Sequence, residues 1–233
     1  MEQFLDEHNA RIWTAIQRQY DIQCFRHARH HIFSRCHGDI LELHLPQIGL
    51  SYELFTFELL RLDLRLCKHI YIADYLVHQY HHEPLLSWTF TENLFVQVGS
   101  LLENSKIRPL LPGGKWDMNL VDGEMQRPGL TALRLSLIKR GFTRTIPALS
   151  AVDLYLHCFF SEKSAHTADR HAAHLQEMEQ LRPDLYHILE VFWRRWDAFK
   201  IEHYDPVNYT YKEFTALFVH AIGQWAIQHV QIK

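Results

Sequence analysis

Several things are scarce in this chain. There are four cysteines in 233 residues, none stands in a C-x-x-C pair, and so few in a chain this long do not make a disulfide framework. A reducing compartment fits, and the cytoplasm is the expected location. The start, Met1-Glu2-Gln3-Phe4-Leu5, lacks the apolar run of a signal peptide. No stretch approaches the roughly 18 uninterrupted apolar residues of a membrane span. An excess of positive charge is also missing. The formal net charge is −3, which supplies no overall basic field for a nucleic-acid backbone. Glycine and proline number 9 and 8, and many of them fall in one segment, residues 106–129.

What is abundant is apolar content and histidine. Hydrophobic residues make up 47% and charged residues 22%, the balance of a globular chain that buries a core rather than a disordered one. Histidine occurs 18 times, so net charge climbs as pH falls from about 7 to 5.

The apolar spacing is mostly helical. Phe4, His8, Ile12, Ala15, Ile16 and Tyr20 share a stripe. Asp21 is placed to cap a second helix carrying Ile22, Phe25, Arg29, Ile32 and Cys36, with His37-Gly38 as its stop. Leu41, Leu43 and Leu45 alternate with polar residues, which admits a short β-hairpin near 39–50. Ser51 then caps a helix whose stripe runs Leu62, Leu66, Ile70, Ala73, Val77 and Tyr80 and ends at Glu83-Pro84. Thr91 caps the next. After the irregular segment 106–129, helices resume at Leu130 and stop at Gly141. Others follow Pro147, Thr167 and Pro183, and a last one starts at the capping-box pattern Thr210–Glu213. The expected fold is all-α, one domain over 1–233 with about eight or nine helices. The segment 106–129 is its candidate subdomain boundary.

His27, His30 and His31 form the pattern H-x-x-H-H, and His78, His81 and His82 form it again. On a helix this spacing gathers three imidazoles near one face, the way helices present metal ligands. The spacing resembles the histidine boxes of membrane di-iron desaturases and hydroxylases. Those enzymes depend on membrane helices, so their activity is not carried across. On a helical wheel both triplets point away from the apolar stripes, which favours exposed histidines over an enclosed metal site, and no cofactor is expected.

Arg26-His27-Ala28-Arg29-His30-His31 resembles the catalytic signature of HEPN ribonucleases, which are all-helical. The resemblance implies that His31 would act as acid–base on an RNA 2′-hydroxyl and Arg26 would stabilise charge on the phosphate. It covers six residues.

Other patterns carry less. Trp193-Arg194-Arg195-Trp196 mixes aromatics and guanidinium groups, and its simplest reading is a core Trp196 with arginines reaching solvent. Gly113-Gly114-Lys115 lacks the full phosphate-loop pattern. No complete catalytic or cofactor motif stands out. The reading favoured is a non-catalytic binding protein, of the kind that neutralises a toxin or enzyme as an immunity protein or stoichiometric inhibitor. Its partner is expected to be another protein rather than nucleic acid. Trp116 is the anchor expected on the long loop, with Lys115, Asp117 and Arg127 as its polar rim.

Overall fold

The structure is a computed structural model. It describes residues 2–28, 32–111, 131–142, 149–164, 168–201 and 210–229. Ten α-helices and one three-stranded sheet occur among them. The chain divides into two compact units, residues 1–70 with 106–127, and residues 71–105 with 128–233.

Unit one holds the sheet, and here the helical expectation for residues 21–36 fails. Asp21–His27 is strand β1, Phe33–His37 is β2 and Ile40–Pro46 is β3. The order is β1-β3-β2, with β3 parallel to β1 and antiparallel to β2. The fold is therefore mostly helical with a small sheet, not all-α. Residues three apart, such as Ile22 and Phe25, share a helix face but stand on opposite faces of a strand. Gly38 does not stop a helix. It takes φ 64° in the two-residue loop between His37 and Ile40, which are paired, where a hairpin turn needs a residue free of Cβ strain.

The alternation of Leu41, Leu43 and Leu45 is realised in β3, and all three are buried. They face a core that includes Ile16, Phe55, Leu59 and Leu62. Ile16 comes from α1 (Ala10–Gln17) and the others from α2 (Tyr52–Leu62). Ser51 caps α2, its Oγ accepting from the Leu54 N–H at 3.2 Å. A buried polar knot ties α1 to α2: fully buried Asn9 donates from Nδ2 to Phe4 O at 2.8 Å and to Thr56 Oγ1 at 2.7 Å. Tyr52 donates to Asp6 beside it, and burial together with that carboxylate pushes the phenol up to about 12.

The long helix expected from Ser51 to Glu83 is broken. A π-helical turn spans Asp63–Cys67, closed by Lys68 N–H donating to Asp63 O at 2.9 Å. His69 then takes φ 55°, outside the helical region. Leu62, Leu64, Leu66 and Ile70 are all buried. The apolar stripe thus continues through the break, which is why the sequence reads as one helix.

Unit two is helical. It contains α3 (Ile72–His82), α4 (Pro84–Thr89), α5 (Glu92–Ile107, through Ser105), α6 (Ala132–Phe142), α7 (Leu149–Ser164), α8 (Ala168–Leu181), α9 (Pro183–Ala198) and α10 (Thr210–His229). Thr91 Oγ1 caps α5 by accepting from the Leu94 N–H at 3.3 Å. Pro183 opens α9 in the first turn, where its missing N–H costs nothing. Helix α6 runs through Gly141 to Phe142, the last residue described in this stretch. Helix α10 packs on α9, α4 and α3, and α7 packs on α6 and α8. Trp196 is fully buried and donates to Ser105 Oγ at 2.9 Å, while Arg194 and Arg195 are exposed. The W-R-R-W segment is thus a core element with solvent-facing arginines.

Candidate functional site

The strand register sets three cross-strand rows on the sheet face opposite Leu41, Leu43 and Leu45. The first is Phe25, His44 and Phe33, one residue from each strand. The second is Gln23, Glu42 and Arg35. The third is Asp21, Ile40 and His37.

The first row is a stack of rings. Phe33 and His44 lie 4.4 Å apart with planes 7° from parallel, and Phe25 and His44 lie 5.1 Å apart at 21°. His27 closes on Phe33 at 5.2 Å, and the Arg35 guanidinium lies 5.5 Å from the Phe33 ring centre. His44 Nε2 is 3.2 Å from Glu42 Oε2. A carboxylate only accepts, so that ring nitrogen carries the proton and donates. Phe25 is 41% exposed. A phenyl ring this open, with Arg35 and two imidazoles nearby, has the side-chain types that anchor protein interfaces.

Phe33 and His44 turn their faces to one another, and Phe25 continues the stack on His44. The rows also alternate Arg35 and imidazoles with Glu42 and Asp21. Mixed charge matches a protein surface better than a phosphate backbone.

The two histidine triplets are not equivalent. His27 lies on β1, not on a helix, and His30 and His31 fall outside the described residues. His78, His81 and His82 lie on α3 and are all exposed, opposite buried Ile72, Ala73, Leu76 and Tyr80. Within this triplet His81 turns to Glu92, at 3.5 Å, while His78 and His82 pair with ring centres 4.2 Å apart. Among the described residues no three His, Cys, Asp or Glu side chains are grouped to hold a metal ion.

Of the ribonuclease-like residues Arg26 lies on a strand rather than a helix, and His31 lies outside the described residues. Arg26 sits in β1 and donates from Nη1 to Pro46 O at 2.8 Å. Lys115, Trp116, Asp117 and Arg127 lie outside the described residues. Helical spacing does not mark Phe25, Phe33, Arg35 and His44 as a group. The signal for them is alternation, Phe33-x-Arg35-x-His37 facing Glu42-x-His44. No helix among the described residues is long and apolar enough to cross a membrane. The chain matches no known protein family, no curated protein and no solved structure.

Proposed function

We propose that this is a non-catalytic binding protein that takes another protein on the open face of the unit-one sheet, in the manner of an immunity protein or stoichiometric inhibitor. The observation that carries the reading is the ring row Phe25–His44–Phe33. It stands on the face turned away from the leucine core, with Arg35 beside it. The cytoplasm suits it, because Cys24 and Cys36 are exposed free thiols that a reducing compartment preserves.

The test is affinity capture with the full chain as bait, from lysate of its own cell type. A protein co-purifying in stoichiometric amount with the wild type is expected to be lost, at a cost of about tenfold or more in affinity, when Phe25 is changed to Asp. Circular dichroism confirms that this exposed-site variant folds. Equal affinity in Phe25→Asp and in Arg35→Glu overturns the assignment to this face. Trp116→Ala measures in the same assay what the 106–129 segment adds.

A further inference from the structure

We infer that His78 and His82 form a two-imidazole chelate on the exposed face of α3 for a divalent first-row cation, copper(II) first and zinc(II) more weakly. This site is independent of the sheet face.

The two residues are four apart on the helix Ile72–His82, so their side chains leave the same face one turn apart. Both are exposed. Their ring centres are 4.2 Å apart and their planes cross at 62°. Two metal–nitrogen bonds of about 2.0–2.1 Å to one ion need donor nitrogens about 3 Å apart, which rings this close reach by small χ rotations without backbone movement. A helix already holds the backbone geometry, so only side-chain freedom is lost on binding.

The neighbours support two ligands rather than three. His81 is turned to Glu92 at 3.5 Å and to the Tyr80 ring at 5.2 Å, away from the pair. Tyr75 is 6.4 Å from His78 between ring centres and sits under the Lys212 ammonium, 5.8 Å from it. Asp74 is exposed one turn before His78. Its negative charge on the same stripe lowers the potential there, which favours a cation. Two nitrogen donors leave the remaining positions to water, so the ion is labile. Imidazole ligands without thiolate or bridging carboxylate favour copper(II) over zinc(II) by the general affinity order.

The test is titration of tag-free full-length protein with copper(II), read by electron paramagnetic resonance and by isothermal calorimetry. The first equivalent is expected to show coupling to two nitrogens. His78→Ala and His82→Ala are each expected to weaken it by about tenfold or more, the scale on which metal sites respond to lost support. His81→Ala is expected to leave it unchanged. Zinc(II) is expected to compete, with lower affinity. Both positions are exposed, and circular dichroism checks that each variant folds. If His78→Ala and His82→Ala bind the first equivalent as tightly as the wild type, the chelate is elsewhere among the histidines and the assignment is overturned. A wild-type signal with a single nitrogen overturns it equally.

Discussion

Phe33 and His44 face each other across the antiparallel pair β2–β3, ring centres 4.4 Å apart and planes 7° from parallel. Cross-strand pairs of this kind are the unit of sheet stabilisation, and aromatic contacts add about 0.5–1.5 kcal/mol beyond the area they bury. In a double-mutant cycle, Phe33→Ala and His44→Ala are expected to couple by about 1 kcal/mol. Urea unfolding of the four proteins measures it. Additive single effects would mean the rings only happen to be parallel.

A second relationship holds the opposite side of the sheet. Glu58 is 2% exposed on α2; it accepts from Ser34 Oγ at 3.0 Å and from Arg61 Nε at 3.0 Å. Glu58 is buried while Arg61 is 26% exposed, so removing Arg61 leaves the buried carboxylate with only Ser34 to compensate it. Arg61→Met is therefore expected to cost about 3 kcal/mol, and the double change with Glu58→Met to recover most of it. Urea midpoints of the two variants check this. A loss under about 1 kcal/mol in the single variant would place the Arg61–Glu58 pair in the class of weak surface bridges.

These two contacts also show how far the sequence is legible. Leu41, Leu43 and Leu45 read as a strand because alternation with burial on one side has no other simple reading. Ser51, Thr91 and Pro183 read as helix starts because the capping chemistry is local. Residues 21–37 do not read correctly. Ile22, Phe25, Arg29, Ile32 and Cys36 are spaced like a helix stripe by coincidence, and β1 acquires its identity only by pairing with β3, nearly twenty residues on. The break at Asp63–His69 is hidden for the opposite reason: buried Leu62, Leu66 and Ile70 are four apart and keep a helical stripe running through it. The sheet-face site depends on β1 and β2 and is hidden with them. The α3 histidines are visible, since exposure on a helix is set by period alone.

Gly99 on α5 is placed where a side chain does not fit. A Cβ there would lie 2.7 Å from Ala73 Cβ and 3.1 Å from Ala73 N. Ala is a better helix former than Gly by about 1 kcal/mol, but here the neighbour is the backbone of α3 and cannot swing away. Gly99→Ala is expected to destabilise by about 2 kcal/mol net. Thermal unfolding checks the sign, and a variant that gains stability would show that α3 and α5 can separate.

Asp184, in the first turn of α9, accepts from Trp225 Nε1 at 2.6 Å and from Arg182 Nη2 at 2.7 Å. Burial pushes its carboxyl up. The hydrogen bonds from Arg182, Trp225 and the Leu185 backbone outweigh that and hold it well below the usual carboxylate range. A lowered folded-state value means stability present above about pH 4 and lost as pH falls below it. The side chain is 40% exposed, so solvent screening keeps the effect small. Asp184→Asn is expected to lose about 1 kcal/mol at pH 7 and little at pH 2. Urea unfolding at the two pH values checks it; an equal loss at both would assign the effect to packing, not charge.

Asp153 on α7 has the opposite sign. Its Oδ1 is buried with no hydrogen-bond partner among the described residues, and Thr91 Oγ1 reaches Oδ2 only at 3.5 Å. Burial pushes the carboxyl up to about 6, the Thr91 hydroxyl offsetting it in part. The folded state therefore holds this proton more tightly than the unfolded chain does. The stability it contributes is full below about pH 4 and is lost as pH rises through about 6. One pKa unit corresponds to about 1.4 kcal/mol, and with solvent still reaching part of the group the loss at pH 7 is about 1–2 kcal/mol. Asp153→Asn supplies a neutral side chain of the same shape, so it is expected to be more stable than the wild type by that amount at pH 7 and equal to it near pH 3.5. Urea unfolding at the two pH values decides. A variant no more stable at pH 7 would mean that Asp153 is compensated as an anion, and that Thr91, at the start of α5, holds a charge there.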